Sequence, residues 1–180
     1  MMVTVQLTAS FENREVVALT GVSERALRYW AGRRVVTPDL ADAVGRPGIR
    51  RRYSFRNLVE CGIVLELLQY GINISEARGV LTFVRKMLYF KHWPRQCFLV
   101  VQQGRAVGLF VAEAPRGHMA EVTARFPKVP KALPLRAKLG VFLERLLRDA
   151  DQGDSLLIVA VHAITERMAL ATGLPIPRRP

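Results

Sequence analysis

The stretch "VSERALRYW", residues 22–30, decides how the first half of the chain is read. Ser23 stands where a helix cap belongs. Arg25 and Arg28 follow one helical turn apart, and then Tyr29 and Trp30 stand side by side. At about 100° per residue, Glu24, Arg25, Arg28 and Tyr29 fall on one face, while Ala26, Leu27 and Trp30 fall on the opposite one. The two adjacent aromatics therefore have different tasks. Trp30 is expected to anchor this helix to its neighbours. Tyr29 stays beside the arginines, with its hydroxyl within reach of a phosphate. The planar arginine fork suits the polar face, because it bonds a guanine edge or a phosphate through two hydrogen bonds.

Working outward, "REVVAL" at 14–19 predicts a short helix, with Asn13 or Ser10 as its cap and Gly21 as its stop. The second helix runs from Ser23 to about residue 31. Residues 32–53 lose the helical period and contain Pro38, Gly45, Pro47 and Gly48. They end in "IRRRYS", which predicts a loop or a short hairpin. Leu58, Cys61, Leu65 and Leu68 restore helical spacing over 55–70, Gly71 ends that helix, and Ser75 starts another to about Met87. Pro94, within "KHWPRQ" at 91–96, marks a break. Beyond it the pattern changes. "CFLVVQQGRAVGLFVAE" predicts a hairpin around Gly104, 118–126 suits a third strand, and 135–150 an amphipathic helix with a leucine face. "SLLIVAV" at 155–161 suits a buried strand followed by a short helix.

Charge sharpens the picture. Across 180 residues there are 27 Lys and Arg against 15 Asp and Glu, a formal net charge of +12. That balance favours polyanionic partners, nucleic acid before an anionic membrane surface. Between residues 25 and 56 stand nine arginines (25, 28, 33, 34, 46, 50, 51, 52 and 56) against Asp39 and Asp42, a local excess of seven. A helix, a glycine turn and a capped helix outline a helix-turn-helix. A glycine-hinged loop tipped with Arg50, Arg51 and Arg52 has the character of a wing, lying along a phosphate backbone or in the adjacent minor groove.

Taken in order, "VVALTGVSERALRYW", "GIRRRYS", "RNLVECGIVLELLQYG" and "INISEARGVL" resemble the MerR-type winged helix-turn-helix. The matching positions are Leu19, Thr20, Gly21, Val22, Ser23, Leu27, Arg28, Tyr29, Trp30, Arg51, Tyr53, Ser54, Gly71 and Ser75, over roughly residues 11–88. The resemblance implies a double-stranded DNA-binding transcription regulator with its second helix in the major groove. It puts Arg28 and Tyr29 at the backbone, Glu24 and Arg25 on the bases, and Arg51 and Tyr53 in the wing. The chain departs from the pattern in three places. Arg34 replaces the usual glycine after the second helix, the loop 37–47 is long, and Pro94 with the strand runs from 97 excludes a long coiled coil directly after residue 93.

The expected fold class is therefore α+β, an N-terminal all-α winged helix-turn-helix followed by a small α+β domain. The expected boundaries are 11–90 for the DNA-binding domain, 91–96 for a linker, and 97–175 for a unit serving oligomerisation, sensing or partner docking. The expected DNA-binding residues are Ser23, Glu24, Arg25, Arg28, Tyr29, Arg50, Arg51, Arg52 and Tyr53. A homodimer on an inverted repeat is expected, as is a protein partner for the C-terminal unit. Cys61 and Cys97 read as small buried hydrophobes, and His92, His118 and His162 are scattered, so neither a metal nor another cofactor is expected. No phosphate loop, nucleophile elbow or catalytic carboxylate pair stands out, so the chain does not read as an enzyme. No apolar run spans a bilayer, and "MMVTVQLTASFENRE" lacks signal-peptide character, so a bacterial cytoplasmic protein at the nucleoid is expected. Two further readings suit the same residues. One is an antitoxin-like protein that binds its partner through the C-terminal unit, and the other is an excisionase-like architectural protein.

Overall fold

A computed structural model describes residues 9–39, 51–87, 96–112, 121–122 and 156–176. The first segment holds four helices: α1 (Asn13–Thr20), α2 (Glu24–Gly32), α3 (Phe55–Gln69) and α4 (Ile74–Met87). The second holds β1 (Gln96–Gln102), β2 (Arg105–Ala112), β3 (Glu121–Val122), β4 (Leu156–Ala160) and a final helix, α5 (Val161–Thr172). The fold class is α+β, as expected. The amphipathic helix expected at 135–150, the wing tip at 40–50 and most of the expected linker lie outside the described residues.

The helix starts follow local hydrogen-bonding chemistry. Neither Asn13 nor Ser10 caps α1. Its cap position is Glu12, whose backbone N–H donates to the Glu15 carboxylate at 2.7 Å. Helix α3 starts in a reciprocal box: Asn57 N–H donates to Ser54 Oγ at 3.4 Å, and Ser54 N–H donates to Asn57 Oδ1 at 3.2 Å. Helix α4 is capped two residues earlier than expected. Asn73 Oδ1 accepts from the N–H groups of Ser75 and Glu76 at 3.0 and 3.1 Å, which places Ser75 inside the first turn.

The sheet order is β3-β2-β1-β4, with every neighbouring pair antiparallel. The β1–β2 hairpin turns on Gln103 (φ 47°) and Gly104 (φ 70°). Two successive left-handed residues are what a two-residue turn needs if its twist is to match the strands. A register shift between Val100 and Val101 bends the ladder. Strand β4 pairs with β1 and leads directly into α5.

One core takes residues from both segments. Val16, Leu27, Trp30 and Leu58 belong to the same buried cluster as Leu99, Val159, Ile164 and Met168. Helix α5 lies against α3 where α3 carries no side chain: a Cβ on Gly62 would stand 2.5 Å from Ile164 Cγ2. Beside that contact, Arg167 reaches Glu66 at 3.5 Å. Across the helix–strand junction, His162 Nδ1 lies 3.0 Å from the Cys97 carbonyl oxygen and 3.3 Å from the Cys97 nitrogen.

Candidate nucleic-acid interface

Helix α2 divides as its spacing predicts. Leu27 is fully buried and Trp30 nearly so, while Glu24, Arg25, Arg28 and Tyr29 are exposed. Ser23 is in the extended region, and its Oγ accepts from Ala26 N–H at 3.2 Å, so it fixes where the helix begins. Glu24 accepts a 2.7 Å ion-pair hydrogen bond from Arg28 one turn later, on a face open to solvent. The Arg33 guanidinium lies 5.5 Å from the centroid of the Tyr29 ring, a cation–π distance. Tyr29 is thus an exposed ring with the Arg33 guanidinium over it.

The foot of the loop is tied to the chain just before α1. Phe11 and Tyr53 exchange both backbone hydrogen bonds, at 2.8 and 2.9 Å. Arg52 reinforces this bridge, donating to Ser10 Oγ at 3.1 Å and reaching Glu12 at 3.2 Å. Arg51 is exposed, and Arg50 lies outside the described residues.

Tyr53 departs from expectation. Its ring is fully buried within the core cluster, so it is a packing residue and offers no surface to a ligand. Its hydroxyl is buried, with the Arg51 side chain beside it. Burial pushes its pKa up, and the nearby Arg51 charge opposes part of that shift. Tyr53 is expected at the DNA-binding wing, but the bridge to Phe11 brings its ring inside.

The end of α2 is held by a network that residue spacing alone does not reveal. Glu60 is fully buried on α3. It accepts from Arg56 Nε at 3.0 Å, Asn57 Nδ2 at 3.3 Å, and Arg85 Nε and a terminal Arg85 nitrogen at 2.8 and 2.7 Å. A buried carboxylate survives only with such a set of donors. Hydrogen bonding to Glu60 raises the Arg85 pKa, so its charge is secure. Arg85 also donates to the carbonyl oxygen of Val35 at 2.7 Å, three residues past the end of α2. Asp39 completes the clamp from the loop side, accepting from Ser54 N–H at 3.2 Å and Ser54 Oγ at 2.8 Å. Helix α2 is thereby fixed to α3 and α4 at its C-terminal end.

Residues 12–83 match the family described as "MerR HTH family regulatory protein". The N-terminal half is a MerR-type helix-turn-helix. Curated relatives agree with this over the same part of the chain. An uncharacterized HTH-type transcriptional regulator of Mycobacterium bovis is 34% identical over 68 residues, covering 38% of this chain and 30% of that protein. Two counterparts from strains of Mycobacterium tuberculosis show the same identity and coverage. The match therefore spans less than a third of those regulators' length. Within the MerR-type unit, α1 and α2 form the helix pair, Gly21 makes the turn, and the Phe11–Tyr53 bridge forms the foot of the following loop.

Other chemistry finds little support among the described residues. No group of three or more His, Cys, Asp or Glu side chains there could hold a metal ion. Cys61 and Cys97 are both buried, and burial pushes both thiols well above their ordinary range. No described helix is long and apolar enough to cross a membrane. His92 and His118 lie outside the described residues.

Proposed function

We propose that the protein is a sequence-specific transcription regulator that binds double-stranded DNA. In this reading α2 enters the major groove, and residues 46–53 form a basic wing on the backbone or in the minor groove. The observation that carries it is the split of α2 within a MerR-type unit. Arg25, Arg28 and Tyr29 stand exposed, opposite the buried Leu27 and Trp30. Arg25 and Glu24, near the helix start, read base edges. Arg28 and Tyr29 meet phosphates, joined in the wing by Arg50, Arg51 and Arg52. Ser23 serves this surface by capping the helix. Tyr53 supports the wing from within the core.

Residues 97–175 then act as the unit for dimerisation, sensing or partner docking, and a homodimer reads an inverted repeat. The place of action is the bacterial cytoplasm, at the nucleoid. The deciding experiment is selection from a random duplex library at about 150 mM salt, where non-specific phosphate contacts are already weakened. An enriched inverted repeat, lost on Arg28→Ala, supports the reading. No enrichment by folded protein would turn attention to an architectural or partner-binding role.

A further inference from the structure

Four of the helices end on a residue in the left-handed region, where a Cβ crowds the backbone and glycine is the usual occupant. Three of the four follow that rule: Gly21 after α1 (φ 76°), Gly71 after α3 (φ 79°) and Gly173 after α5 (φ 67°). The fourth, after α2, is Arg34, at φ 56°.

The ends of α2 and α3 are built alike, which isolates the difference. After α3, Gly71 N–H donates to Leu68 O and Ile72 N–H to Leu67 O, both at 3.1 Å. After α2, Arg34 N–H donates to Ala31 O at 3.1 Å and Val35 N–H to Trp30 O at 2.8 Å. Both pairs are the two bonds of a Schellman closure. In each, the residue after the left-handed one is buried in the same core, Ile72 with Leu67 and Val35 with Trp30. The backbone requirement is thus the same at both ends. Glycine meets it at one, and a strained arginine meets it beside the reading helix. Strain retained where glycine would relieve it directs attention to what the side chain does.

The surroundings point to an anion. Arg34 and Arg33 are exposed, Arg33 lies over the ring of Tyr29, and Arg28 is on the same turn as Tyr29. Arg33 and Arg34 therefore place two exposed cations just past the C-terminal end of α2, at the opposite end from Arg25. We infer that Arg34, with Arg33 braced on Tyr29 beside it, forms a phosphate clamp on duplex DNA, distinct from the base-reading start of α2. The clamp rests on the proposal that α2 binds DNA. It contributes affinity without sequence preference, as phosphate contacts do.

The test measures fluorescence anisotropy of the full chain with a short random-sequence duplex across 50–200 mM salt, together with thermal melting. Arg34→Gly is expected to melt higher than the parent, because the Cβ crowding is gone. It should nevertheless bind DNA more weakly, with the salt slope reduced by about 0.9, so that the affinity ratio across this salt range shrinks roughly threefold. Arg34→Lys should restore most of the slope, because it keeps the charge. Two results would overturn the clamp. One is an unchanged affinity and slope in Arg34→Gly while Arg28→Ala weakens binding, which leaves α2 as the DNA-binding helix. The other is an absence of duplex binding by the parent protein itself, which removes the DNA reading and the clamp together.

Discussion

Arg85, on α4, bridges Glu60 on α3 and donates at 2.7 Å to the carbonyl oxygen of Val35, the residue that follows the turn ending α2. One side chain thus fixes three parts of the MerR-type unit. Glu60 is fully buried, while the Arg85 side chain keeps 24% of its exposure. Removing Arg85 leaves a buried carboxylate with Asn57 and Arg56 but without its strongest partner. Arg85→Met is expected to cost about 3 kcal/mol, the order found when one partner of a buried ion pair is deleted. Urea unfolding of parent and variant checks this. A change below 1 kcal/mol would show that the bridge adds little to the fold.

Tyr53 offers a test of opposite sign. Its hydroxyl is buried, a desolvation cost that phenylalanine avoids. Tyr53→Phe is expected to match or exceed parent stability, by up to about 1 kcal/mol. DNA affinity should stay unchanged, because the ring is a core residue. Weaker binding with unaltered stability would restore the hydroxyl to the contact surface.

The two thiols predict an alkaline weakness. Burial raises both above their ordinary value of 9.0, so the folded protein holds these protons more tightly than the unfolded chain. Above about pH 9 the unfolded chain loses them first, and stability falls as pH rises. Below that pH the two groups contribute no pH dependence. With both active, the slope approaches about 2.7 kcal/mol per pH unit. Unfolding at pH 8 and pH 10 should show the loss in the parent and a smaller one in the Cys61→Ala/Cys97→Ala variant. Equal losses in both would assign the alkaline weakness to other groups.

Gly62 and Ile164 should be energetically coupled. Gly62→Ala forces a methyl group against Ile164 Cγ2 and is expected to cost about 1–3 kcal/mol, despite the better helix propensity of alanine. Ile164→Ala removes that methyl group and leaves a cavity. The double variant should lose less than the sum of the two singles, by about 1 kcal/mol or more. Strict additivity would mean that α5 shifts freely along α3.

The parts that could be read from sequence are those governed by local spacing. The two faces of α2, its Ser23 cap, the glycine stops and the Gly104 hairpin depend on residues within a turn or two of one another. What escaped the reading depends on distant partners. Tyr53 enters the core through its bridge to Phe11, 42 residues earlier. Glu60 looks like one polar residue in an apolar helix until Arg85, 25 residues later, is brought to it. Pro94 signalled a break in the chain, yet the buried cluster draws on both sides of it. Arg34 was legible as a departure from the MerR-type pattern, but its left-handed backbone was not.

The contact between α3 and α5 also has a consequence during synthesis. Ile164 follows Gly62 by 102 residues. A ribosome adding about 5–20 residues per second needs roughly 5–20 s to cover that distance. Throughout that interval α3 lacks the Ile164 contact that covers Gly62 in the folded chain. Helix α2 is thus made early, and α5, which packs on α3, arrives late.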